Sequence, residues 1–128
     1  MFEGIIAMAE ENLKNGIPVG LGTDTACPYV TQYDMWRELC YYAKFCGVSN
    51  AFALYSATLL NAELAGIGGE TGSIERGKRA EMIVVRKNPL EDLRALRTPE
   101  MVIMGERLIR APRVKKIPEV ETELDKWL

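Results

Sequence analysis

The chain has 128 residues, of which 48% are hydrophobic and 27% charged, with a formal net charge of −2. That supplies enough apolar material for one core and too little charge imbalance to favour nucleic acid or an anionic membrane as a partner. No apolar run approaches the ~20 residues that cross a bilayer, and the N-terminus lacks the basic start of a secretory signal.

The cysteines Cys27, Cys40 and Cys46 are odd in number and fit no zinc-knuckle or Cys-x-x-Cys spacing. Reduced thiols in a cytoplasmic protein are therefore expected. Histidine is absent, and imidazole is the commonest side-chain ligand of catalytic zinc and the commonest general base. Any metal or triad chemistry must import its histidines.

Ile5, Ala9 and Leu13 continue a helical spacing begun at Phe2, and Lys14-Asn15-Gly16 supplies a basic last turn and a glycine stop. Ile17 to Leu21 is a short apolar run that predicts a strand buried on both faces, and it ends in the polar loop Gly22-Thr23-Asp24-Thr25. Thr31 is placed to cap a second helix with Met35, Leu39, Tyr42, Ala43 and Cys46 on one face, ending at Gly47. Ser49 caps a third, with Phe52, Tyr55, Leu59 and Ala62 on one stripe and Gly66 as its end.

Beyond Gly66 the composition changes, which divides the chain into segments 1–66 and 67–128. Gly68, Gly69 and Gly72 mark a turn, Ser73-Ile74-Glu75 reads as short and extended, and Ala80 to Arg86 carries the strand-forming run Met82-Ile83-Val84-Val85. Asn88-Pro89-Leu90 begins a turn. Met101 to Met104 and Arg107 to Ile109 flank Gly105-Glu106, a type II′ hairpin signal. Pro118 opens a last helix whose Glu119, Glu121 and Glu123 suit the N-terminal dipole, with Val120, Leu124, Trp127 and Leu128 on one face.

Asp24 is the first candidate for chemistry. It directly follows a buried strand that itself follows a helix, which is where α/β barrels present catalytic groups. Position alone leaves a second reading open, in which the carboxylate caps the next turn through an Asx hydrogen bond.

Read in order, Gly22-Thr23-Asp24 with Pro28, Ala57-Thr58, Asn61-Ala62, Leu64-Ala65-Gly66, Gly72-Ser73-Ile74-Glu75, Gly77-Lys78, Ala80 to Val85 and Asn88-Pro89-Leu90-Glu91-Asp92 resemble the C-terminal third of the amidohydrolase superfamily. Val102-Ile103, Gly105 and Leu108-Ile109 extend the pattern, and the imidazolonepropionase-like and prolidase-like subgroups look most similar. The resemblance runs from about residue 16 to residue 111 and implies an α/β fragment: the last strand of a TIM-type barrel with its helices in 1–66, and strands of a small β-subdomain with a C-terminal helix in 67–128.

It further implies that Asp24 is a ligand or near neighbour of a divalent metal, zinc by the family's habit, and takes a proton from metal-bound water. Substrates would be small molecules whose C–N bonds are hydrolysed: cyclic amides, amidines or dipeptide-like compounds. The family's His-x-His pair and later histidines have no counterpart here, so the chain alone is expected to hold no cofactor and to be inactive. A smaller departure is Glu81, where the family usually has aspartate. The rival reading is a non-catalytic assembly module, or a split-gene subunit, in which self-association or another chain covers the exposed barrel strand.

Weaker signals read as structure. Gly66 to Gly72 lacks the Lys-Ser/Thr ending of a P-loop and follows a helix instead of opening one. Arg107, Arg110, Arg113, Lys115 and Lys116 have no interleaved aromatic residue and fit a solvated surface. Trp36, Tyr41 and Tyr42 fit helix packing or a subunit contact.

Overall fold

The amphipathic helix read at the start of the sequence forms as α1 (Phe2–Lys14), and the basic turn and Gly16 end it as expected. The structure, a computed structural model, describes residues 2–128; Met1 and the Phe2 side chain lie outside that description. Residues 17–24 then form no regular element and lead into a loop, and α2 (Met35–Cys46) follows, closed by Gly47 in the left-handed region. The residue before α2 is Asp34, and Thr31 does not cap it. Instead the Thr31 hydroxyl donates to Asp34 Oδ2 at 2.6 Å, because Asp34 is drawn to Arg37 one turn into the helix.

The Ser49 cap is as read: its Oγ accepts from the Phe52 N–H at 3.1 Å. The helix it opens is not uniform. α3 (Asn50–Tyr55) widens into a π-helical turn, Ser56–Leu60, before α4 (Asn61–Leu64).

Three antiparallel strands make one sheet in the order β1 (Glu81–Val84), β2 (Met101–Met104) and β3 (Arg107–Arg110). Met82 pairs with Ile103, and Val102 with Ile109. Gly105 has φ +60, as a II′ turn requires of its first central residue. Ser73 to Glu75 joins no strand; Ser73 and Glu75 satisfy each other through their side chains, with Lys78 alongside.

Leu39, Tyr42, Ala53 and Leu93 form the buried core, so a 3₁₀ turn at Leu93–Arg97 reaches back from beyond the sheet's first strand to α2 and α3. Val19 and Leu21 pack on the same cluster. Trp36 and Tyr42 are buried in helix packing.

The last helix, α5 (Pro118–Asp125), has Pro at its start as read, and Val120, Leu124 and Leu128 of the expected face are half-buried, but the docked face also takes in Glu121. Glu121 is buried while Trp127 is 54% exposed. The reason is Arg37, 1% exposed on α2, which meets Asp34, Glu121 and Asp125. A buried guanidinium needs anionic partners more than a partly apolar helix face needs covering.

Candidate functional site

Ile17 to Leu21 reads in the sequence as a strand buried on both faces, followed by a polar loop from Gly22 to Thr25. In the structure residues 17–24 form no regular element: Val19, Leu21 and Thr23 are half-buried and Gly20 and Gly22 exposed, the segment joins no ladder, and Ile17 is 50% exposed. No described strand lies alongside them. Their regular anchorage comes from a side chain: the Leu21 N–H donates to Asn61 Oδ1 at 2.9 Å, and Asn61 Nδ2 donates to the Leu21 carbonyl at 2.8 Å.

Asp24 follows this anchored stretch in an exposed loop. Its φ is +52, and Ala26 and Tyr29 follow at +95 and +64. Aspartate enters the left-handed region at modest cost; alanine and tyrosine do so less readily, and such residues cost roughly 1–3 kcal/mol each. The loop therefore holds a backbone that its sequence does not favour.

The Cys27 thiol donates to Asp24 Oδ2 at 3.5 Å, and the hydroxyls of Thr23 and Thr25 lie 2.6 Å apart. The hydrogen bond to Asp24, then the charge of that carboxylate, pushes the Cys27 thiol up, which keeps it a donor. Among the described residues no backbone N–H donates to the Asp24 carboxylate, so the Asx-cap alternative finds no hydrogen bond.

No group of three or more His, Cys, Asp or Glu side chains able to hold a metal occurs among the described residues. A catalytic zinc needs about three protein ligands. Asp24 and Cys27 do not fit that demand by themselves.

The other residues singled out lie elsewhere. Glu81 sits in β1, where its carboxylate accepts from Thr71 Oγ1 at 2.6 Å. Lys116 pairs with Glu121 at 3.4 Å. A groove of about 760 Å³ between α2 and the sheet is lined by Trp36, Leu39, Leu54, Ile83 and Val102, and Asp24 is not among its lining residues. No described helix is long and apolar enough to cross a membrane.

Sequence reading missed Asn61 as the anchor of Leu21. The available signal was Gly20, a lone glycine within an apolar run, which marks a close backbone approach.

Residues 3–107 match the amidohydrolase family. This chain belongs to the amidohydrolase family. Its fold agrees with a crystal structure of a candidate prolidase from Bifidobacterium longum at TM-score 0.91 and 39% identity, covering 95% of this chain and 30% of that one. A Xaa-Pro dipeptidase crystallised with methionine in its active site matches at TM-score 0.75 and 31% identity, covering 83% of this chain and 25% of that one.

Among curated relatives, ochratoxinase of Aspergillus niger is 32% identical over 108 residues, 80% of this chain and 21% of that protein. A 5-methylthioadenosine/S-adenosylhomocysteine deaminase of Acetivibrio thermocellus is 34% identical over 88 residues, 62% of this chain and 20% of that protein. The amidohydrolase chain thus spans about a fifth of these curated relatives. Its observed part is an α/β fold with three antiparallel strands, in a family that is generally metal-dependent.

Proposed function

We propose that the amidohydrolase carrying this chain hydrolyses C–N bonds in small molecules, with Asp24 as its proton-handling carboxylate and as one ligand of a divalent metal, zinc by family habit. The observation that carries this reading is the place of Asp24. It follows an anchored apolar segment, in a strained exposed loop, within residues 3–107 that match the amidohydrolase family. In that reading residues 17–24 correspond to the last strand of a TIM-type barrel, and Asp24 to a group at the barrel's mouth.

The chemistry suits a carboxylate. It accepts a proton as water adds to the carbonyl or amidine carbon, then delivers that proton to the leaving nitrogen. The Cys27 thiol occupies Oδ2 and so turns the carboxylate within the loop. The remaining metal ligands must come from outside the described residues. The neighbours named for prolidase and Xaa-Pro dipeptidase activity support dipeptide-like substrates, and the deaminase supports amidines.

The test is turnover of Xaa-Pro dipeptides and cyclic amides by the enzyme that carries this chain, with Asp24→Asn beside it. The amide keeps the carboxylate's shape but cannot take the proton, so kcat should fall by ~10²–10⁴ while KM changes little. Turnover within about threefold of wild type would reduce Asp24 to a turn residue.

A second reading, assembly with another copy or another chain, is supported by apolar side chains around the same segment. Ile5 and Met8 on α1 and Ile17 beside it are all half exposed or more. Partner side chains would cover them.

A further inference from the structure

Burial alternates from Val19 to Asp24 as on a strand, without a strand neighbour, yet one residue there has both its backbone N–H and its carbonyl paired. At Leu21 the N–H and the carbonyl both meet Asn61, at 2.9 Å and 2.8 Å. A primary carboxamide presents an acceptor and a donor side by side, the pair that a residue on an adjacent antiparallel strand would offer.

Two features of the surroundings admit this contact. A Cβ on Gly20 would stand 2.5 Å from Asn61 Oδ1, so a side chain at position 20 excludes the carboxamide from its place. The π-helical turn Ser56–Leu60 immediately precedes Asn61. A wide turn inserts a residue into the helix, which rotates all that follows by about 100° around the axis. Without it Asn61 would be turned by that angle relative to Leu21.

That turn is itself held from behind. Gly72 approaches so closely that a Cβ there would lie 2.7 Å from Ala62 Cβ, 2.9 Å from Leu59 Cα and 3.1 Å from the Thr58 carbonyl. Thr58 Oγ1 donates back to the Leu54 carbonyl at 2.6 Å, taking up a backbone acceptor that the wide turn disturbs. Gly20, Thr58, Asn61 and Gly72, scattered in sequence, therefore converge on one contact.

We infer that Asn61 is a positioning residue: its side chain stands in for a strand neighbour, fixes the backbone on both sides of Leu21, and through Gly22 and Thr23 sets where the Asp24 carboxylate lies. The clamp itself stands on geometry, and its relevance to catalysis rests on the assignment of Asp24 above. Hydrolytic turnover would feel it as a change in where the proton acceptor sits, not as a loss of substrate contacts.

The test is residue-resolved amide exchange and backbone chemical shifts on the 128-residue chain. In the wild type the Leu21 amide should exchange more slowly than those of Gly20 and Gly22. Asn61→Ala should speed Leu21 by about tenfold or more and move the shifts of Thr23 and Asp24, while core amides such as Leu39 and Ala53 stay as they were. Asn61→Asp, which keeps the acceptor and loses the donor, should fall between.

If Asn61→Ala does not fold, Gly20→Ala reads the same contact from the other side and should release Leu21 in the same way. Equal exchange at Gly20, Leu21 and Gly22 in the wild type overturns the inference. So do unmoved Asp24 shifts in Asn61→Ala, or an unchanged Leu21 rate in Gly20→Ala. Full turnover by Asp24→Asn would sink the assignment of Asp24 and leave these exchange results standing; unchanged exchange would remove the clamp and leave Asp24 its role.

Discussion

Arg37 Nη2 stands 3.1 Å from Glu121 Oε1, and this pair joins α2 to the last helix of the chain. Around it Arg37 also meets Asp34 at 3.0 Å and Asp125 at 2.5 Å, while Arg97 reaches Glu121 at 2.9 Å and lies over the Trp36 ring. Tyr41 adds a hydrogen bond to the Leu124 carbonyl at 3.0 Å. The ionic cluster seats α5.

Removing the central cation should therefore cost more than removing a surface charge. Arg37→Met leaves Asp34 and Glu121 poorly solvated and short of a partner, and breaking a buried pair in this way costs about 3–5 kcal/mol. Urea unfolding of the two proteins measures it. A loss below about 1 kcal/mol, the range of exposed pairs, would mean that apolar contacts hold α5 instead.

The same cluster predicts acid sensitivity. Burial opposes ionisation of Glu121 and of Asp125, but hydrogen bonds from Arg37 and Arg97 outweigh it and hold both carboxyls below their ordinary range. Their folded values lie below their unfolded ones, so the stabilisation is full above the unfolded range of about 4 and is lost as pH falls through the folded values. Stability followed by circular dichroism from pH 6 downward should show this loss, and Arg37→Met should flatten it. A profile unaffected by Arg37→Met would place the acid response elsewhere.

Two glycines of nearly identical φ separate strain from space. Gly72 and Gly77 have φ +91 and +92, but a Cβ at Gly77 meets no atom within 4 Å. Gly77→Ala should cost only the left-handed penalty, about 1–2 kcal/mol. Gly72→Ala adds the collision with Leu59 and Ala62, worth roughly 1–3 kcal/mol more. Equal unfolding midpoints would show that the turn at Gly72 moves aside freely.

The isolated chain should bind zinc weakly. Its described residues hold no cluster of three ligands, and a stable site needs about that number. Metal analysis after mild chelation is expected to find no stoichiometric zinc; retained metal that disappears in Asp24→Asn would contradict this.

Association should depend on the α1 surface. Ile5 is 57% and Met8 60% exposed, and apolar side chains grouped in this way favour a partner. Light scattering should show a species larger than the monomer at high concentration, reduced by the double change Ile5→Glu and Met8→Glu. A wild-type monomer at every concentration would remove self-association and leave the other-chain alternative.

The sequence by itself determined what neighbours along the chain decide. Ser49 caps its helix, Pro118 starts another, Gly105 turns the hairpin and Met82 to Val84 pair in a sheet, because each depends on a side chain or φ preference within a few residues. Asp24 was singled out in the same local way, as an acid soon after an apolar run, and its chemical role stands as a proposal.

Tertiary structure decided the rest. Thr31 lost the cap of α2 because Asp34 answers to Arg37; α5 turned Glu121 inward because the same guanidinium is buried; and Ile17 to Leu21 formed no ladder strand. Asn61 took the place of a strand neighbour only because the π turn and the bare Cα atoms of Gly20 and Gly72 admit it. Each outcome is a hydrogen bond or an ion pair between groups far apart in sequence. Local preference, worth less than about 1 kcal/mol per residue, yields to the larger cost of leaving a buried charge or peptide group unpaired.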